Sequence, residues 1–186
     1  MRIIGGSARG RRIAAPKGSA IRPTADRVRE ALFNILPRDL AGMRVLDLFA
    51  GSGSLSLEAL SRGAESALLV DESEAAAKLI RRNVDALGFA DRARIWKHPV
   101  GKALSRLADE GAAYDAIFLD PPYDGGWVGK TLAAVARTGT LKAEGVAVAE
   151  HSPRERVEEQ YGPLACRDRR QYGDTVLSFF GIDNQG

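Results

Sequence analysis

The sequence predicts an α/β protein built on a doubly wound, mostly parallel sheet. Three features carry that expectation. Short apolar runs alternate with stretches of helical period from residue 44 to residue 152. The runs read as strands buried on both faces, as parallel strands covered by helices are. Several stop on an acid or a glycine-rich turn, as in "RVLDLFAGSG", "SALLVD" and "AIFLDPPY". Ligands of such sheets bind beyond the C-terminal ends of the strands.

Element by element, "RIIGGSARGRRIA" (2–14) reads as a hairpin around a Gly/Ser/Arg turn, and "PKGSAIRP" (16–23) as a loop. Thr24 is placed to N-cap a helix over "TADRVREALFNIL", with Val28, Leu32 and Ile35 on one face and Pro37 ending it. Strands follow at 44–49, 66–71, 93–97, 114–120 and 145–152. Helices alternate with them at 53–63, 73–88, 101–111 and 128–138. Gly63 and Gly88 are placed to end the first two. The tail, "ACRDRRQYG" then "TVLSFFG", reads as two strands joined near Gly173 and Asp174. Residues 1–38 are expected to form a basic hairpin-and-helix extension, and residues 39–186 the main domain.

Composition narrows the function. The chain has 186 residues, enough for one full core, with 45% apolar and 27% charged residues. Cys166 is the single cysteine, so no internal disulfide forms and a cysteine-based zinc site is disfavoured. His98 and His151 are the only histidines, so no metal site is expected. No run reaches membrane length and no signal-peptide core follows Met1, so a cytoplasmic location is expected. Charge is uneven. Residues 1–38 hold nine Arg/Lys and two acids, a net of +7, which leaves −4 on the other 148 residues of a chain whose total is +3. A basic arm on a mildly acidic body suits a polyanion docking at one end.

"VLDLFAGSGSLSLEAL" runs a strand into Asp47, then Gly51 and Gly53, then a helix. Glycines there let the backbone turn and approach a ligand without a Cβ in the way. Asp71, eighteen residues past Gly53, can accept both hydroxyls of a ribose. Ser56 replaces the third glycine of a dinucleotide fingerprint, and Asp47 sits where a pyrophosphate is awkward. The pattern suits an adenosine ligand with a cationic end, such as S-adenosylmethionine.

"FLDPPYDGG" (118–126) poses the chemical question. Two prolines end a strand and stiffen the loop behind Asp120. The Asp120 carboxylate and Pro121 carbonyl can grip the two N–H groups of an exocyclic amine, while Tyr123 stacks on its base. Trp127, just past the loop, could cap a substrate pocket or pack at a helix start.

These residues carry a family resemblance. "DPPY" after "DLFAGSG" resembles the amino-methyltransferases that use S-adenosylmethionine. "RIIGGSARGRRI", "RPTADRVREALFNIL" and the closing "YGDTVLSFF" narrow it to the bacterial 16S ribosomal RNA guanine-N2 methyltransferase family, RsmD type. The resemblance implies a seven-stranded, Rossmann-like methyltransferase sheet with a small N-terminal hairpin. It implies methylation of the exocyclic N2 of one guanine in the small ribosomal subunit, without a metal, by a monomer. By position, Asp120, Pro121, Pro122 and Tyr123 would be catalytic. Asp47, Phe49, Ala50, Gly51, Gly53, Asp71 and Thr24 would hold the cofactor. Arg9, Arg11, Arg12, Arg22 and Arg27 would face RNA. One position departs: Pro99 stands where the family often has an Asp or Asn for the adenine amine.

Three other functions fit parts of the pattern. An adenine-N6 methyltransferase would use the same "DPPY", although the chain has little room for a DNA target-recognition domain. A non-catalytic ribosome assembly factor would need neither "DPPY" nor "AGSG" intact. A nicotinamide oxidoreductase is disfavoured by Asp47 and the missing third glycine.

Overall fold

The computed structural model describes residues 1–16, 23–122 and 125–183, the side chains of 23–25 excepted. The chain divides into two compact units, Met1–His98 and Pro99–Gly186.

The first unit holds α1 (Pro23–Ile35), β1 (Arg44–Asp47), α2 (Ser54–Ser61), β2 (Ser66–Asp71), α3 (Glu74–Leu87) and β3 (Ala93–Lys97). Its strands are parallel, with β2 between β1 and β3. β1 is buried from Val45 to its end and β2 between its end residues, which accounts for their apolar sequences. α3 is capped as the sequence suggests. Ser73 Oγ accepts from Ala76 N at 3.3 Å, and Gly88 takes the left-handed conformation at φ 75°.

The second unit holds α4 (Val100–Asp109), β4 (Tyr114–Leu119), α5 (Trp127–Thr138), β5 (Leu141–His151), β6 (Gln160–Tyr161), β7 (Leu164–Tyr172) and β8 (Thr175–Ile182). β4 and β5 are parallel, and β8, β7 and β6 continue antiparallel from β5. The architecture is the expected mixed α/β; β1 and β4 end at Asp47 and Leu119, short of the expected 49 and 120, and two larger differences lie in the other strands. Eight strands are described rather than seven, the additional one being the two-residue β6 paired with β7. β5 begins at Leu141, ahead of the expected 145, because an irregularity between Tyr114 and Ala116 lets Leu141 pair with Tyr114 before Val146 pairs with Ala116.

The N-terminal segment pairs as a hairpin, but a short one. Arg2 bridges Arg12 antiparallel, with Ile3 N donating to Arg11 O at 3.0 Å, Ile13 N to Met1 O at 3.1 Å and Gly10 N to Ile3 O at 2.8 Å. It goes no further because the next backbone donors are taken elsewhere. Ile4 N and Gly5 N donate to the Glu58 carboxylate at 2.8 Å each, and Ser7 N donates to Ser61 O at 2.7 Å. Donors bound to α2 cannot extend the ladder. Thr24 also moves from its expected place. The helix starts at Pro23, which puts Thr24 inside the first turn rather than at the N-cap. Proline favours that first helical position because its missing N–H would have no intrahelical partner.

Candidate active site

The glycine-rich turn links β1 to α2. Asp47, the last residue of β1, is 1% exposed, and its Oδ2 accepts from Ser56 Oγ at 3.0 Å. Ser56 stands where a dinucleotide site would have its third glycine, and here it orients the acid. Phe49 is half-buried and Ala50 buried, with Ala50 N donating to Val70 O at 3.0 Å. Gly51 and Gly53 both have left-handed backbones, φ 53° and 78°. A Cβ on Gly53 would come within 3.0 Å of Leu69 Cδ2, so the site requires glycine for both conformation and space.

Asp71 ends β2 and closes the turn from the other side. Its Oδ2 accepts from Gly51 N at 2.9 Å and its Oδ1 from Ser73 N at 2.9 Å. Each carboxylate oxygen keeps further acceptor capacity. The structure thus brings Asp47, Phe49, Ala50, Gly51, Gly53 and Asp71 to one strand edge of the first unit. Two fixed carboxylates and a Cβ-free turn fit the ribose and cationic end of S-adenosylmethionine. Behind the turn, Asn83, 1% exposed, donates to Ser52 O at 2.9 Å and pairs with both backbone groups of Ala14.

In the second unit Asp120 follows the last residue of β4. Water reaches its side chain, yet protein surrounds it closely enough to raise its carboxyl to about 6 by desolvation. Pro121 is buried and Pro122 exposed. Tyr123 lies outside the described residues. Beside this edge, Leu119 pairs with Ala149, and β5 ends at His151. His151 is 3% exposed, with Nδ1 2.9 Å from Ser152 O and Nε2 2.8 Å from Ser178 Oγ. A carbonyl only accepts, so Nδ1 carries the proton and Nε2 accepts from the serine. Burial holds this imidazole below its ordinary pKa, and the neutral ring ties the end of β5 to β8.

The basic residues separate by role. Arg9, Arg12 and Arg27 are exposed. Arg11, also exposed, donates to the carbonyls of Ala86 and Leu87, so it caps the C-terminus of α3. Arg22 lies outside the described residues, and Thr24 lies in α1. In β7, Arg167 pairs with Asp183, Arg169 with Glu159 and Arg170 with Asp168.

The sequence reading missed one cluster. Glu58, fully buried in α2, accepts from Ile4 N, Gly5 N and Arg62 Nε. Arg29, 4% exposed, approaches it to 4.0 Å, pairs with Asp26 at 3.1 Å and donates to Arg2 O. Burial lowers the Arg29 pKa, against the pull of both acids. The signal was present as the acid in "SLSLEALS", in a helix with almost no exposed face.

Residues 1–181 match a family model described as "Conserved hypothetical protein 95". The chain belongs to this family. The "Putative rRNA methyltransferase YlbH" of Bacillus subtilis is 36% identical to this family member over 97% of the chain and 98% of its own length. The "Ribosomal RNA small subunit methyltransferase D" of Escherichia coli K12 is 39% identical over 81% of the chain and 74% of its own. The solved structure of the "Putative methyltransferase yhhF from Escherichia coli" superposes on this family member with a TM-score of 0.85, at 28% identity. It covers 100% of this chain and 99% of its own. Among the described residues no helix is long and apolar enough to cross a membrane, and no group of three or more His, Cys, Asp or Glu could hold a metal ion.

Proposed function

We propose that this chain transfers a methyl group from S-adenosylmethionine to the exocyclic N2 of a guanine in 16S ribosomal RNA of the small subunit. The observation that carries the reading is the placement of Asp120 directly after β4, at a strand end stiffened by Pro121 and Pro122. Membership of a family with rRNA methyltransferases among its relatives supports it.

Bound S-adenosylmethionine supplies a methyl on a positively charged sulfur. Asp47 and Asp71, held by Ser56, Gly51 and Ser73, are the residues that would take its cationic end and its ribose. On the acceptor side, an exocyclic amine is a poor nucleophile while its lone pair is conjugated with the base. Asp120 and the Pro121 carbonyl accept its two hydrogens and free that lone pair. The amine forms the N–C bond as the methyl leaves sulfur, in line, and catalysis is mainly positioning. A carboxyl with a pKa of about 6 is mostly ionised at pH 7. It is also more basic than an ordinary aspartate, so it is suited to take the proton the amine releases.

The test is transfer of labelled methyl to unmodified small subunits, naked 16S RNA and duplex DNA, with the product nucleoside identified. N2-methylguanosine from the ribosomal substrate is expected. N6-methyladenine would keep the Asp120 chemistry and overturn the base assignment. Bound cofactor with no transfer to any acceptor would favour an assembly factor.

A further inference from the structure

Among the described residues Trp127 is the one large apolar side chain left exposed, at 47%. Single exposed apolar residues are common and by themselves mean little. Trp127 differs because the chain holds it in place. A Cβ on Gly125 would lie 2.2 Å from indole Cδ1 and 2.4 Å from Nε1, so only glycine leaves room for the ring edge. Gly126 turns through φ 60° to start α5 at Trp127. Lys130 Nζ stands 5.3 Å from the ring centroid and 3.4 Å from Gly125 O, which places a cation over the indole. The ring is fixed along one edge and beside one cation, and the rest of it faces solvent.

Its place in the fold gives it a use. Trp127 is the seventh residue after Asp120 and opens the helix that follows β4. α5 carries Lys130 and Arg137 and no acid. One rigid ring with no apolar surround is too small for a protein interface, which needs hundreds of Å² of contact. It matches one unstacked base, and the adjacent cation matches that nucleotide's phosphate.

We propose that Trp127 is a stacking platform for an RNA base next to the nucleotide being methylated, with Lys130 on its phosphate. The proposal rests on the RNA methylation reading above. The experiment uses the Trp96→Phe chain, in which Trp127 is the only tryptophan. Small-subunit RNA is titrated against indole fluorescence. RNA affinity is then compared among wild type, Trp127→Phe and Trp127→Ala, with S-adenosylhomocysteine affinity and melting temperature as controls.

Stacking predicts quenching at saturation and roughly tenfold weaker RNA binding for Trp127→Ala, the scale of one base on one ring. Trp127→Phe should recover most of the affinity, and both controls should stay at wild type. Unchanged RNA affinity in Trp127→Ala, or saturation without quenching, overturns the platform while leaving the methylation reading intact. Self-association lost in Trp127→Ala without loss of RNA affinity also overturns it, in favour of a contact between copies. Wild-type protein that neither binds nor methylates the RNA overturns both readings together.

Discussion

Replacing Glu58 with alanine tests the buried cluster that anchors the N-terminal segment. Glu58 is fully buried and compensates two cations of low exposure, Arg29 at 4% and Arg62 at 12%. It also satisfies Ile4 N and Gly5 N. Removing one partner of a buried ion pair costs about 3–5 kcal/mol, because the charge left behind is uncompensated. The two orphaned N–H groups would add about 1–3 kcal/mol each if they stayed dry. The segment can instead peel away and hydrate them, so the pair cost sets the expectation at about 4 kcal/mol. For a chain of this size that is a fall of roughly 10 °C in melting temperature. Urea unfolding of Glu58→Ala and wild type gives the free-energy difference directly. Hydrogen exchange at Ile4 and Gly5 should rise with it. A loss below about 1 kcal/mol, with those two amides still protected, would refute the claim that Glu58 carries the anchor.

The other predictions concern chemistry and binding. Asp120→Asn should abolish most methyl transfer and leave S-adenosylhomocysteine affinity near wild type; near-wild-type turnover would sink the assignment. Wild-type kcat/KM should rise with pH through about 6 as Asp120 ionises, and a flat profile there would remove it as the proton acceptor. The sign for stability is opposite. The folded carboxyl holds its proton to a higher pH than the unfolded one, so wild type loses stability between about pH 4 and 6. Asp120→Asn should therefore be the more stable chain at pH 7, by about 1 kcal/mol once solvent access to the side chain is discounted. Arg9→Ala with Arg12→Ala should weaken RNA binding and lower its salt slope by about 2; Arg11→Ala should add a stability loss near 1 kcal/mol, because Arg11 caps α3. An unchanged slope would mean the arm does not contact RNA. Asn83→Ala should weaken S-adenosylhomocysteine binding about fivefold and raise hydrogen exchange at Ala14, since one side chain holds both the turn and the arm. Calorimetry showing wild-type affinity would confine Asn83 to a structural role.

What could be read from the sequence was whatever depends on local pattern. β2 and β3 fall on their expected residues, and α3 ends at Gly88 as expected, because apolar period and a terminal glycine set them. Asp47, Gly51, Gly53 and Asp71 were legible because a strand end, a turn and a second strand end have a fixed chain spacing in this architecture. Two of the misses share one cause. The expected hairpin at 2–14 closes at Arg2 and Arg12 but stops there, because Glu58 and Ser61, more than fifty residues away, take the next donors. Arg11 looked like a free cation because the carbonyls it caps lie seventy-five and seventy-six residues along the chain. Long-range side-chain to backbone bonds leave no periodic mark in a single sequence.

α2 shows why those missed bonds matter to the site. It has eight residues, and Leu55 through Ser61 are all buried, so its polar side chains cannot be a solvated face. Each has a partner. Ser56 holds Asp47 of the proposed cofactor turn. Glu58 holds Ile4 and Gly5, and Ser61 Oγ accepts from Ala8 N and donates to Gly5 O. Gly6 fits only because it lacks a side chain: a Cβ there would lie 1.8 Å from Ser61 O. The helix that begins at the cofactor turn therefore ends as the seat of the basic arm, and Asn83 makes a second bridge from Ser52 to Ala14. Two short connections join the two places. Where a bound ligand orders the turn and the arm together, linkage requires each to favour the other to the same degree. RNA should accordingly tighten S-adenosylhomocysteine binding in wild type. The Asn83→Ala chain should lose a measurable part of that coupling, even at RNA concentrations that saturate the arm.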